Sequence, residues 1–136
     1  MTAPRHRPAF PAILIAERDR SVRELQEFFL GRAGFSVRFA DDGLAALEMA
    51  RLDPPALVIT EILIPKVDGL ALCRQLRDDP STHDLPIIVF SILAAATRAG
   101  EAGADAFLRK PLVESTFVAA VRNALGKRPH GITEHQ

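Results

Sequence analysis

Short apolar runs alternate along the chain with longer stretches in which apolar positions return every three or four residues. That is the pattern of buried parallel strands joined by crossover helices. The strand candidates are "AILIA" (12–16), "SVRFA" (36–40), "ALVIT" (56–60), "PIIVF" (86–90) and "DAFLR" (105–109). Three are apolar almost throughout, as strands covered on both faces must be, whereas "SVRFA" alternates and reads as a sheet edge. Between them, Ser21-x-x-Glu24 forms a capping box ahead of a stripe of Val22, Leu25, Phe28, Phe29 and Ala33, with Gly34 as the stop. Asp41-Asp42-Gly43 opens a second helix through Leu44, Leu47 and Ala50, and Asp68 caps a third through Leu72, Cys73 and Leu76. "AAATRAGEA" predicts a short fourth helix, and Leu112 to Leu125 a fifth that Gly126 closes. The predicted class is α/β, built from five βα units in one domain over residues 11–126. Residues 1–10 and 127–136 read as flexible polar tails.

An open parallel sheet keeps its functional site in the crevice beyond the carboxyl ends of its strands. Those ends run into Glu17-Arg18-Asp19, Glu61, Ser91 and Lys110-Pro111. Glu17, Glu61, Ser91 and Lys110 are therefore expected to converge although they are far apart in sequence. Taken alone, a carboxylate such as Glu61 could be a general acid or base, a metal ligand, a substitute for another acidic residue, or the first solvated position after a strand.

Composition removes several classes. The chain of 136 residues carries 17 Lys plus Arg and 17 Asp plus Glu, so no net field favours nucleic acid or an anionic membrane, and protein partners are expected. Arg5-His6-Arg7 is too short a cluster to alter that. Cys73 stands alone, which excludes an internal disulfide and fits a reducing, cytoplasmic setting. It reads as a small core residue on an apolar helix face. No apolar run approaches the roughly 20 residues that span a bilayer. A phosphate-containing cofactor would need a Gly- or Ser/Thr-rich loop after a strand, and "ERDRSV" is neither, so no cofactor is expected. An enzyme using Glu61 as base would be the alternative class, but no His, second nucleophile or oxyanion donor is identifiable beside it.

Three segments in order carry a resemblance to a known family. They are "FADDGLAAL" (39–47), "ILIPKVDG" (62–69) and "GADAFLRKP" (103–111). With the strand-end residues, they resemble the receiver domains of two-component response regulators over about residues 11–126. The resemblance implies a flavodoxin-like three-layer sandwich with strand order 2-1-3-4-5, and a place in phosphorelay signalling rather than enzymatic turnover. It implies that Glu61 stands where the family has its phospho-accepting aspartate, and Glu17-Arg18 where it has its acidic pair. By the same resemblance Ser91 and Phe107 match the switch residues, and Lys110 the lysine that contacts the phosphoryl group.

Two departures point the same way. Magnesium is held by oxygen ligands, and Arg18 offers none. An inward Arg18 about 4 Å from a divalent ion would cost on the order of 8 kcal/mol, so no metal site is expected, although Arg18 could equally point to solvent. Glu61 is one methylene longer than aspartate, which displaces its oxygens from in-line geometry. Arg18 and Lys110 could instead bind Glu61 in a salt bridge. The expected outcome is a pseudo-receiver with a locked pocket, the alternative being a constitutively active-like receiver with Glu61 as phosphoryl mimic. Ser91 could also be merely the N-cap of helix four, and Ile92 would narrow the pocket. Ser91 and Lys110 are only 19 positions apart, so helix four should be clipped. If the chain is complete it must act by contact, with a histidine kinase or other signalling protein as partner and a homodimer left open.

Overall fold

The computed structural model describes residues 11–126. The two tail assignments lie outside the described residues. Five strands, β1 (Ala12–Ala16), β2 (Ser36–Ala40), β3 (Leu57–Thr60), β4 (Ile87–Ser91) and β5 (Ala106–Arg109), alternate with five helices. The helices are α1 (Arg20–Arg32), α2 (Gly43–Leu52), α3 (Gly69–Asp78), α4 (Ala96–Ala102) and α5 (Glu114–Gly126). All strand pairs are parallel, in the order β2-β1-β3-β4-β5, so β2 is an edge as its alternation predicts. Each predicted strand is present, with starts or ends displaced by at most one residue.

Strand alternation splits the core between the two faces of the sheet. Leu14, Val58, Ile87 and Val89 pack under α2, α3 and α4 with Leu47, Leu72, Cys73 and Leu76. Ile13, Ile15, Ile59, Ile88 and Phe90 pack on the other face with Leu30, Phe117 and Val121 of α1 and α5. Phe90 and Phe117 meet with ring centroids 5.5 Å apart. The result is the three-layer sandwich. Asp42 and Asp68 cap α2 and α3 as expected, and α4 is short, seven residues ending at Gly103 with φ +111°.

Helix α1 departs from expectation in two ways. Its N-cap is Asp19, whose side chain accepts from Val22 N–H, so Ser21 lies inside the first turn rather than ahead of it. Leu25 and Phe28 are exposed, and the buried positions are Gln26 and Leu30. Residues on a helix advance about 100° each, so Phe28 sits about 100° from Phe29 and the two cannot share one narrow stripe. Helix α5 begins at Glu114, two residues after Leu112.

Candidate functional site

The crossover between β1 and β3 opens the crevice at their carboxyl ends, where the strand order reverses. Glu17 follows β1, and Glu61 continues the β3 ladder with its N–H on Ala16 O at 3.0 Å. Ser91 ends β4, and Lys110 follows β5 with its N–H on Ser91 O at 2.9 Å. Thus Glu61 and Lys110 are aimed by bonds that continue the sheet ladder, Ser91 lies within β4, and Glu17 is the residue directly after β1. Residues 61–69 fold back tightly: Gly69 N–H reaches Ile62 O, and a Cβ on Gly69 would lie 2.2 Å from Glu61 O.

The four predicted residues do converge. Lys110 Nζ lies 3.0 Å from Glu61 Oε2 and 3.1 and 3.2 Å from the two oxygens of Glu17. The Ser91 hydroxyl donates to Glu61 Oε1. Three backbone groups complete the shell: Ile62 N–H (2.6 Å) and Leu63 N–H (3.3 Å) on Oε1, and Ile92 N–H (3.2 Å) on Oε2. These amide donors are invisible to a reading by residue type, because every non-proline residue carries one. Glu17 and Glu61 are both buried.

Electrostatics follow from that geometry. Burial pushes the Glu61 carboxyl up, but the Ser91 hydroxyl, Lys110 and Ile62 N–H outweigh it and hold the group below its ordinary range. Burial likewise works against the Lys110 ammonium, yet its bonds to Glu61 and Glu17 raise it above an ordinary lysine. Two carboxylates around one ammonium leave the pocket with one net negative charge.

The remaining sequence-predicted residues are placed differently. Arg18 is exposed and makes no ion pair among the described residues, so only one of the two candidate cations binds Glu61. The physical reason is competition: Lys110 already satisfies both carboxylates from inside, while an arginine beside water keeps its hydration. Ser91 does not cap α4, whose N-cap is Ala95 without a side-chain bond; it is committed to Glu61 and accepts Leu93 N–H at 3.1 Å. Ile92 turns its bulk outward, 58% exposed, and meets the pocket through its N–H. Phe107 lies one strand away, half-buried against the α2–α4 side of the core and in register with Val89. Sequence reasoning missed Arg23, which donates to the carbonyls of Glu17 (2.5 Å) and Ala40 (3.1 Å) and pairs with Asp41. It thereby ties the β1–α1 turn to the end of β2.

A divalent cation does not fit this donor set. It would have to displace Lys110 from both carboxylates, and Arg18 supplies no oxygen. Among the described residues no group of three His, Cys, Asp or Glu side chains is placed to hold a metal. No described helix is long and apolar enough to cross a membrane.

Comparison with known proteins matches residues 13–122 to the response regulator receiver domain. The response regulator MprA of Mycobacterium leprae is 40% identical over 116 residues, covering 83% of this chain and 50% of its own. The chain thus spans about half the length of the curated relatives it matches. Among solved structures, the signal receiver domain of a signal transduction histidine kinase from Syntrophus aciditrophicus superposes with a TM-score of 0.80 at 32% identity. That match covers 91% of this chain and 98% of the other. The receiver domain of a sensor histidine kinase from Pseudomonas aeruginosa, with a magnesium ion coordinated in its active site cleft, shares the fold at TM-score 0.81 and 22% identity. It covers 88% of this chain and all of its own.

Proposed function

The chain belongs to the response regulator receiver family, and we propose that within it this is a pseudo-receiver. Receiver domains are signalling modules that work with histidine kinases and other signalling proteins. In this member Glu61 stands in place of the phospho-accepting aspartate, and signalling proceeds by protein contact without a phosphoryl group or a metal. One observation carries the reading. The Glu61 carboxylate is already saturated by five donors, Ser91, Lys110 and three backbone N–H groups, and so offers no free nucleophilic oxygen.

The test is incubation with acetyl phosphate and millimolar Mg²⁺, read by intact mass. The expected mass is unchanged, and a phosphoryl adduct that disappears in Glu61→Gln overturns the reading. Glu61→Asp combined with Arg18→Asp should restore Mg²⁺-dependent labelling, since it returns both missing chemical features.

A second reading is favoured by a specific contact. Ser91 and Ile92 N–H both close on Glu61, as a switch hydroxyl and its neighbour would close on a phosphoryl group. On that reading Glu61 is a permanent phosphoryl mimic. Partner affinity of Glu61→Gln separates the two: it is nearly intact for a lock and weakened by about 1 to 3 kcal/mol for a mimic.

A further inference from the structure

Helix α1 carries an apolar face that the other described residues leave uncovered. Gln26 and Leu30 are its buried positions, and Phe28 lies two residues from each, about 200° round the helix, so its ring points away from the core. Phe28 is 57% exposed, and Leu25, three residues before it, 46%. The half-buried Phe29 ring extends the patch, its centroid 5.9 Å from that of Phe28. Gly31 completes the face. It is exposed and helical, a Cβ there would have nothing within 4 Å, and the helix stop is supplied instead by Gly34 at φ +96°. A glycine inside a helix is less stable than an alanine, and no contact among the described residues offsets that cost.

Charges frame the aromatic ring symmetrically. Glu24 stands four residues before Phe28 and Arg32 four after, so the three lie along one ridge of the helix surface. Glu24 is exposed and enters no ion pair among the described residues. The Arg32 guanidinium sits 5.4 Å over the Phe28 ring and meets Glu114 through Nη2 at 3.2 Å, so the other N–H groups of the fork remain for a second acceptor. Ridges of this kind pack side by side when two helices cross at about −50°. In an antiparallel crossing centred on Phe28, Glu24 of each copy comes to Arg32 of the other and Phe28 meets Phe28. Like charges stay about 12 Å apart along the ridge, eight residues at about 1.5 Å each.

We infer that this face of α1 is a self-association surface, on which a second copy of the chain packs its own α1 about a two-fold axis at Phe28. The inference goes beyond the proposed function and holds whether Glu61 locks or mimics. Charge complementarity selects the occupant: an acid and a base at equal distances on either side of an aromatic ring match the same surface reversed, as an isologous contact requires. An acidic segment would meet Glu24 and a basic one Arg32, each leaving a charge opposed. Gly31 lets the two backbones approach closely in the same contact. A single crossed helix pair buries less than the roughly 1,200 Å² at which standard-sized interfaces begin, so the association is weak and reversible.

The experiment is sedimentation velocity of the full chain from about 10 µM to about 1 mM at low salt. The weight-average mass is expected to rise toward twice the 14.8 kDa of the monomer, with a Kd on the order of 100 µM. Phe28→Ala should weaken association at least about tenfold. Glu24→Arg and Arg32→Glu each set like charges against one another and should each weaken it about fivefold. The two together exchange the charges and should restore association to within about twofold of the unaltered chain. Gly31→Leu removes a helix glycine, so it should raise the midpoint of a urea melt while weakening association about tenfold, and the opposite signs separate the contact from fold stability. All four positions are exposed, and urea melts verify that the variants fold. A chain that stays monomeric at about 1 mM overturns the inference. So does undiminished association in Phe28→Ala or Gly31→Leu, or failure of the double exchange to restore what the single exchanges lose.

Discussion

Replacing Glu61 by glutamine keeps the shape of the side chain and removes one of its two acceptors. If the amide oxygen keeps the Oε1 position, Ser91, Ile62 and Leu63 remain bonded, but the amide nitrogen then faces Ile92 N–H and the Lys110 ammonium. Donors then oppose donors. If it flips, two backbone N–H groups lose their acceptor instead. Losing a charge-assisted bond costs about 1.5 to 3 kcal/mol, and a buried donor left unmade about 1 to 3 more. Lys110 keeps both oxygens of Glu17, so its charge is not stranded and the upper bound for breaking a buried pair does not apply. The expected loss is about 2 to 4 kcal/mol. Urea melts should show it as a lower midpoint at unchanged slope, and thermal melts as a drop of about 10 °C for a domain of this size. A loss under about 0.5 kcal/mol, the ordinary level for surface positions, would mean that Glu61 is a solvated strand end and that the pocket is not locked.

Three further outcomes follow from named contacts. Both polar atoms of the Gln26 side chain are buried without a partner among the described residues, so Gln26→Met should stabilise the fold by about 1 to 2 kcal/mol in urea melts. A Cβ at Gly43 would sit 1.7 Å from Val67 O, so Gly43→Ala must push α2 away from the residues before Asp68 and should cost about 2 to 4 kcal/mol in the same assay. The folded-state carboxyl of Glu61 is lowered from 4.5, so its contribution is present above 4.5 and is lost as pH falls through the lowered value. Lys110 is raised from 10.5, so its contribution is present below 10.5 and is lost as pH rises through the raised value. Stability measured from about pH 3 to about pH 11 should show both limbs, and Glu61→Gln should flatten the acid one.

Much of this was legible from residue pattern, for reasons that also explain the misses. Strands β1, β3 and β4 are apolar on both faces because helices cover both, so their runs stand out in the sequence. The pocket was legible because strand ends in a parallel sheet necessarily converge. Orientation within it was not. Whether Arg18 or Lys110 meets the carboxylates depends on which side of a turn each leaves, and two adjacent residues such as Glu17 and Arg18 leave on opposite sides. The inner face of α1 was misread because Leu25 is more apolar than Gln26, yet an amide with an aliphatic stem packs at the position the helix geometry turns inward. Arg23 and Arg109 act through backbone carbonyls, which no pattern of side-chain types encodes.

Charge accounting decides what kind of switch such a pocket can be. A site with one net negative charge, closed by an internal ammonium, changes state only if something alters that charge or outcompetes those bonds. On the pseudo-receiver reading, neither a metal nor a phosphoryl group does so. The free energy that moves Ser91 or Ile92 must then come from a partner whose affinity differs between two arrangements of the β4–α4 turn. Linkage makes the effect reciprocal: whatever such a partner gains from that turn, the Glu61 shell gains from the partner. Lock and mimic thus become two ends of one equilibrium. A lock is the case where the turn has only one arrangement, and a mimic is the case where Glu61 holds the arrangement that partners prefer.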